Sequence, residues 1–424
     1  MAKKKQQQPK REPTRRQLSR WEQEKKRQRI IFISGIVIIA AVLITIGSGW
    51  YVTRYQPLHQ TVISVNDASF DMSYYINMLK RYSAGQSTYY LDFLADQVVT
   101  VIQRDALIRQ GALQLGISVS DEEVDEELQS RDPPLSNDYR EIIRTDMLIT
   151  KLENEYFENQ VPLSAPQRHV LVMFLENENQ AQDIIARIEA GEDFGKLAGE
   201  LSLDAISQTK NGDLDWHPQE VLTELLESSV PADYAFNAET GTISQPLYDQ
   251  DKTKGLGYWL IKVVETNQDT NQSHIQAILL GSEAEAQYVK ARLESGEDFA
   301  TLAKQLSQYP GAADNSGDLG WLTPGTMGTA FDMFAFNTET QLDKVSDPIL
   351  DETVETSGGY WLVKVLDEDD NKTIADDDRV LLKSKALNEW VDAMFKDPAN
   401  TIKSYLDEDK KLFAIMKVIG ELGQ

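Results

Sequence analysis

Cysteine is absent from all 424 residues. That excludes disulfides, thiolate metal ligands, a cysteine nucleophile and a lipid anchor on a mature N-terminal cysteine. Histidine is scarce at four copies, too few to make an imidazole-based metal centre an economical reading. GxSxG, HExxH and Walker-type strings are also missing, so hydrolase and nucleotide-driven chemistries lack their usual residues. Net positive charge is confined to one end. Residues 1–29 hold 12 Lys and Arg against three Glu, which leaves the rest of the chain at −35 within a whole-chain charge of −26. A body this acidic repels phosphate backbones, so a nucleic-acid partner is not expected.

Long apolar runs are rare too, with one exception. Ile30 to Trp50 reads IIFISGIVIIAAVLITIGSGW without a charge. As a helix it would rise about 31 Å, the thickness of a bilayer core of roughly 30 Å. It is longer than the apolar part of a cleaved signal, and Trp50-Tyr51 resembles an interfacial anchor. The basic block from Lys3 to Arg29 belongs on the cytoplasmic side. The expectation is a single-pass cell-membrane protein: a basic tail over 1–29, a transmembrane helix over 30–52 and the remaining domains outside. A cleaved secretory signal is the alternative, and it would release the same domains.

What the chain has in abundance is self-similarity. His169 to Trp216 and His274 to Trp321 run in step at an offset of 105 residues. Glu189-Ala-Gly-Glu-Asp-Phe194 lies over Glu294-Ser-Gly-Glu-Asp-Phe299, and Gly212-Asp-Leu214 over Gly317-Asp-Leu319. Tyr258-Trp-Leu-Ile-Lys-Val263 matches Tyr360-Trp-Leu-Val-Lys-Val365. Each copy is large enough for its own core, which predicts tandem domains over 166–267 and 272–368. Within a copy the order is strand, helices, turn, helix, strand, an α+β unit whose first and last strands can pair.

Upstream, 61–66 reads as a strand, followed by helical patterns at 70–82, 90–115 and 138–159. Ser120 and Glu123 have capping-box spacing. A mostly helical domain is therefore expected over 58–163. Downstream, the acidic clusters Asp367–Asp370 and Asp376–Asp378 flank a presumed polar linker and lack the loop spacing of a calcium site. A helix over 378–396 needs a packing partner, and the segment 378–424 is expected to return to the N-terminal helical domain.

The repeated strings, taken together, resemble the parvulin (PpiC-type) peptidyl-prolyl isomerase family: His169-Val-Leu-Val, Gly191-Glu-Asp-Phe-x-x-Leu-Ala, Asn211-Gly-Asp-Leu, and their second-copy counterparts. Residues 61–163, through Val65-Asn66 and Leu115-Gly-Ile-Ser-Val-Ser-Asp-Glu-Glu-Val124, resemble the helical domain of SurA/PrsA-type foldases. The resemblance implies two parvulin-like domains with small antiparallel sheets and a SurA-N-like domain completed by the C-terminal helix. It also implies isomerisation about X–Pro bonds in unfolded or partly folded secreted polypeptides. That reaction crosses a barrier of about 18–20 kcal/mol without making or breaking a covalent bond. No cofactor, metal or nucleotide is required.

Residue by residue, the resemblance places the first-strand histidine at His169 and His274. Its Cys-or-Asp position falls on Asp204 in copy one and on Tyr309 in copy two, giving His169, Asp204 and His274 as catalytic candidates. The last-strand histidine is replaced by Trp259 and Trp361 in both copies. Leu214, Leu319, Met327, Phe331 and Phe336, with the two tryptophans, are candidates for the proline-binding wall. Pro231 stands where Phe331 aligns, leaving Leu222, Leu225 or Leu226 to fill the floor of copy one. These residues make copy one the expected catalytic copy and copy two the expected apolar client site. The lost histidines keep a second reading in view, a non-catalytic holdase.

Overall fold

The structure is a computed structural model describing residues 51–422 and six isolated positions before them. The expected basic tail and membrane run therefore lie almost wholly outside the described residues. Among those residues, no helix is long and apolar enough to cross a membrane. The chain divides into two compact units, residues 1–156 with 387–424, and residues 157–386.

In the first unit, β1 (Thr61–Val65) and β2 (Ala68–Asp71) form a hairpin. Asn66 turns it with φ of 54°, a conformation asparagine tolerates. The sequence pattern shows only the first of these strands, because β2 is four residues long and half-buried. Helices follow at Met72–Tyr82, Leu91–Gln114, Asp121–Ser130 and Arg140–Lys151. Ser120 and Glu123 make the full capping box. The C-terminal residues of this unit close its sheet and its core. The strand Ile402–Ser404 pairs antiparallel with the free edge of β1. Asn66 fastens it, accepting from the Thr401 amide at 2.8 Å and donating its own amide to the Thr401 carbonyl at 2.8 Å. Helix Glu408–Leu422 buries Ala414 and Val418 among Val62, Met72, Ile76 and Leu79.

Helix Leu91–Gln114 carries two features that pattern alone hides. A Cβ on Gly111 would lie 2.5 Å from carbons of the Trp390 ring. Gly111→Ala should therefore destabilise this unit by about 1–2 kcal/mol in denaturant titration, overpacking outweighing the gain in helix propensity. Asp105 is buried, and burial pushes its carboxyl up to about 6 against the opposing pull of Arg109 and Arg104. A pKa raised by folding means that the native state binds more protons as pH climbs from about 4 to 6, so stability falls over that window. Asp105→Asn should raise stability at pH 7.5 by at most roughly 2–3 kcal/mol and change it little at pH 4. Melting temperatures at the two pH values check this.

The second unit holds both repeats. Copy one supplies β3 (Ser164–Leu175), β4 (Asp213–His217), β5 (Leu247–Lys254) and β6 (Gly257–Asn267); copy two supplies β7 (Gln272–Leu280), β8 (Asp318–Leu322), β9 (Ile349–Asp351) and β10 (Thr356–Thr373). The two antiparallel sheets are ordered β4-β3-β10-β5 and β8-β7-β6-β9. Here the expectation of two self-contained tandem domains needs correction. The first strand of copy one pairs with the last strand of copy two, Trp361 opposite Phe174. The last strand of copy one pairs with the first strand of copy two, Trp259 opposite Leu279. The copies have exchanged their final strands. A four-residue link, 268–271, turns β6 straight into β7, and consecutive strands joined that tightly become neighbours.

The shared Gly-Glu-Asp-Phe string explains the helices on each sheet. Gly191 and Gly296 adopt φ of 102° and 100°, ending the preceding helix. Asp193 and Asp298 then accept the amides of Lys196 and Thr301 as N-caps, and Phe194 and Phe299 enter the core. A second correction concerns the acidic cluster Asp367–Asp370, which lies within β10 rather than in a linker. Arg168, opposite it on β3, offsets the charge through Glu368 at 3.5 Å and Asp370 at 3.3 Å.

Candidate functional site

The two histidines expected at the sites occupy equivalent positions, but away from Trp361 and Trp259 of the last strands. His169 Nε2 lies 2.7 Å from Asp213 Oδ1, and His274 Nε2 lies 2.8 Å from Asp318 Oδ1. Each ring rests beside a tryptophan, Trp216 at 5.9 Å and Trp321 at 5.6 Å between centroids. Burial pushes the Asp213 and Asp318 carboxyls up, yet the following backbone amides and the histidines outweigh it and hold both below the ordinary range. On β3, His169 stands opposite Asp367 and Phe174 opposite Trp361. Those five steps amount to about 17 Å of strand. Each histidine thus ties its first strand to the Gly-Asp-Leu turn. The aspartate partner was visible in the sequence as a repeated residue, but the turn geometry concealed its role.

Asp204 is engaged elsewhere than with His169. One carboxylate oxygen accepts the Ser207 amide at 2.8 Å, capping a short helix, and the other meets Lys252 Nζ at 3.1 Å. Both side chains are under a tenth exposed. Lys252 also reaches Glu227 at 3.6 Å and lies 5.8 Å from the centre of the Trp361 ring. A cleft of about 410 Å³ opens beside this pair, lined by Leu203, Ile206, Leu225 and the segment Glu352–Glu355. Lys252 gave no signal in the sequence, since its strand reads as polar.

The tryptophans are the innermost side chains. Trp361 is 0% and Trp259 1% exposed. Trp361 packs on Phe174 and donates its indole N–H to Asp249 at 2.9 Å; Trp259 donates to Asp351 at 3.0 Å. A buried indole N–H requires such an acceptor. Burial raises the Asp351 carboxyl, but hydrogen bonds from Thr353 and Trp259 bring it below its ordinary value.

Around Trp361 the wall is aliphatic: Leu214, Leu222 and Leu226 are buried, with Leu203, Ile206 and Phe236 half-buried at its edge. Leu222 and Leu226 thus fill the floor, whereas Leu225 belongs to a separate cluster with Val161 and Ile374. Around Trp259 the wall is aromatic. Phe331 meets it edge-on at 5.1 Å and Tyr309 at 5.3 Å, with Leu319, Met327, Phe336 and Val354 packed beside them. The Tyr309 hydroxyl points to Met327 Sδ at 3.9 Å.

The strand register shows why the two sites differ. Trp361 opposes Leu247 and Trp259 opposes Ile349, so Asp249 corresponds to Asp351 and Lys252 to Val354. The buried Asp204–Lys252 ion pair of one site is therefore Tyr309 and Val354 in the other. Two charges have been replaced by two uncharged side chains.

Each sheet of the second unit, with its helices, is a small α+β arrangement that buries one tryptophan in the first part of its exchanged last strand. The family model of the PPIC-type PPIase domain matches residues 156–267 and 258–369, and the chain belongs to that family. Chaperone SurA of Pectobacterium atrosepticum is 26% identical over 336 residues, covering 65% of this chain and 74% of that protein. Foldase protein PrsA of a Geobacillus strain is 45% identical over 95 residues, 22% of this chain and 32% of that one. Among solved structures, PrsA from Bacillus subtilis is matched over 86% of this chain and 93% of that chain, at 14% identity and a TM-score of 0.20.

Breaking a buried ion pair from one side leaves an uncompensated charge, whereas neutralising both partners does not. Asp204→Asn, which keeps the cap, and Lys252→Met should each cost about 2–4 kcal/mol. The double variant should cost clearly less than the sum, as read by urea unfolding.

Proposed function

We propose that the chain is a membrane-anchored, extracytoplasmic peptidyl-prolyl isomerase and folding chaperone for secreted or envelope polypeptides. Family membership and the SurA and PrsA relatives support the isomerase and chaperone reading. The basic segment before the apolar run Ile30–Trp50 supports a single cytoplasm-in span. Its partners are X–Pro segments of unfolded chains and, through one helix, the membrane.

The observation that carries the catalytic reading is the aromatic cluster around Tyr309 in copy two. A proline ring needs an apolar seat, and the twisted amide needs a nearby hydrogen-bonding group. The half-buried Leu319, Met327 and Phe336, packed on the closed core of Trp259 and Phe331, supply the seat, and the half-buried Tyr309 supplies a hydroxyl at the position where copy one has Asp204. Copy one, the expected catalytic copy, has that acid bound to Lys252. We therefore assign turnover to the Tyr309 cluster, with His169 and His274 as braces of their strands.

Proline-limited refolding of a model protein tests this. The full chain should accelerate it, and Tyr309→Phe should lower kcat about tenfold while changing KM less than twofold. Asp204→Asn should leave the rate within twofold. No acceleration by the parent chain would falsify the isomerase reading. The buried tryptophans at both family histidine positions favour the second reading, a non-catalytic holdase. Suppression of client aggregation that survives Tyr309→Phe, in a chain without refolding activity, would establish it.

A further inference from the structure

The turn between β6 and β7 forms one wall of a cleft in copy two that lies apart from Tyr309. The cleft, of about 280 Å³, opens between hairpin residues 266–273 and residues 335–342, which run on from the end of helix Thr329–Ala335. It shares only Ala335 and Phe336 with the aromatic cluster. Thr266, at its edge, is seven residues along β6 from Trp259, about 24 Å of strand. Twelve residues line it and none is ionisable, in a chain where 26% of residues are charged. The half-buried Phe336 is its aromatic residue, surrounded by amides and hydroxyls. The side-chain oxygen of Asn267 accepts the amides of Asp269 and Thr270, and that of Asn337 accepts the amide of Glu339. Those bonds fix how each side-chain amide is turned and leave its NH₂ group to meet a ligand. Gln268 is exposed beside them and Gln272 half-buried.

The equivalent place in copy one is covered and charged. Phe236 follows helix Ser229–Ala235 as Phe336 follows Thr329–Ala335, and the Arg168 guanidinium lies over its ring at 4.9 Å from the centre. At the offset of 105 residues, Arg168 becomes Ser273. Arg168 opposes Glu368 and Gln167 opposes Asp369 on β10, whereas Ser273 opposes Thr266 and Gln272 opposes Asn267 on β6. Three charged side chains of one copy are thus three neutral ones in the other, and without the arginine Phe336 lines an open cleft. We propose that this cleft is a binding site for an uncharged saccharide. Sugar hydroxyls both donate and accept, which amides and hydroxyls can match. The C–H face of a sugar ring packs on an aromatic face, where the π-electrons carry negative charge. An ionic ligand would instead lose water without gaining a counterion. The volume lies at the lower edge of the small-molecule range of roughly 300–1,000 Å³, which suits a short saccharide segment. The site does not depend on the function proposed above.

Saturation-transfer NMR and calorimetry test this on the full chain, held in a detergent whose head group is not a sugar. Maltotriose and tri-N-acetylchitotriose are the uncharged probes, and trigalacturonate is the anionic one. At least one uncharged probe should bind, the stronger of the two assigning the site to plain or N-acetylated rings. Trigalacturonate should bind at least tenfold more weakly. Gln268→Ala with Gln272→Ala, which removes two amides from the rim, should weaken the uncharged probe at least fivefold. Ser273→Arg with Thr266→Glu, which brings the copy-one pair to the Phe336 ring, should abolish its signal. Absence of binding by the parent chain to both uncharged probes would overturn the proposal. So would equal binding of the anionic trimer, or an affinity that neither double variant changes.

Discussion

The arrangement of the second unit depends on a four-residue turn. Asn267 accepts the amides of Asp269 and Thr270 at 3.1 and 3.3 Å, and Asn271 takes φ of 52°. These are local interactions that close a hairpin whatever the rest of the chain does. Once β6 and β7 are joined this way, the final strand of copy one lies in the sheet of copy two. Its place beside β3 is then open, and the next strand of matching pattern, β10, fills it. A non-exchanged pair of domains would need the same link to pass between two separate sheets. At about 3.4 Å per residue, four residues reach too short a distance for that path.

Exchange preserves the sheet while changing what surrounds each site. Both tryptophans keep an aspartate acceptor, because an indole N–H buried without one would cost about 1–3 kcal/mol. The polar requirement is thus identical in the two copies and is met identically. The second layer is free to diverge, provided that charges change in pairs. Asp204 with Lys252 and Tyr309 with Val354 are the two solutions found here. An isolated Asp at the half-buried Tyr309 position, with Val354 where copy one has Lys252, would be a partly desolvated charge without that counterion. The loss of the acid in copy two is therefore intelligible as half of a paired change, and it leaves an aromatic cluster in place of an ion pair.

Much of the fold was legible in the sequence. The Gly-Glu-Asp-Phe string encodes a helix stop, a cap and a core anchor, and the Ser120–Glu123 spacing encodes a capping box. Those signals act over a few residues. The strand exchange was not legible, because β6 and β10 carry nearly the same residues, so periodicity specifies that each is a buried strand without specifying which sheet receives it. The histidines failed for a related reason. Position in the repeat located His169 and His274, but their partners Asp213 and Asp318 are chosen by turn geometry 44 residues away.

Lys252 shows where the limit of such reading lies. Its strand, Leu247–Lys254, is polar at most positions and buries only Asp249, Lys252 and Lys254. On composition alone it is an exposed edge. It is buried where β10 brings the Trp361 ring beside its ammonium and Asp204 meets it, contacts that span both repeats. A buried lysine is tolerated only with such a partner, so its burial follows from the exchanged strand rather than from local pattern. The ion pair beside the copy-one cleft is therefore set by the topology of the whole unit. In copy two the corresponding positions, Tyr309 and Val354, carry no charge, so no counterion is needed there and the packing can be apolar throughout.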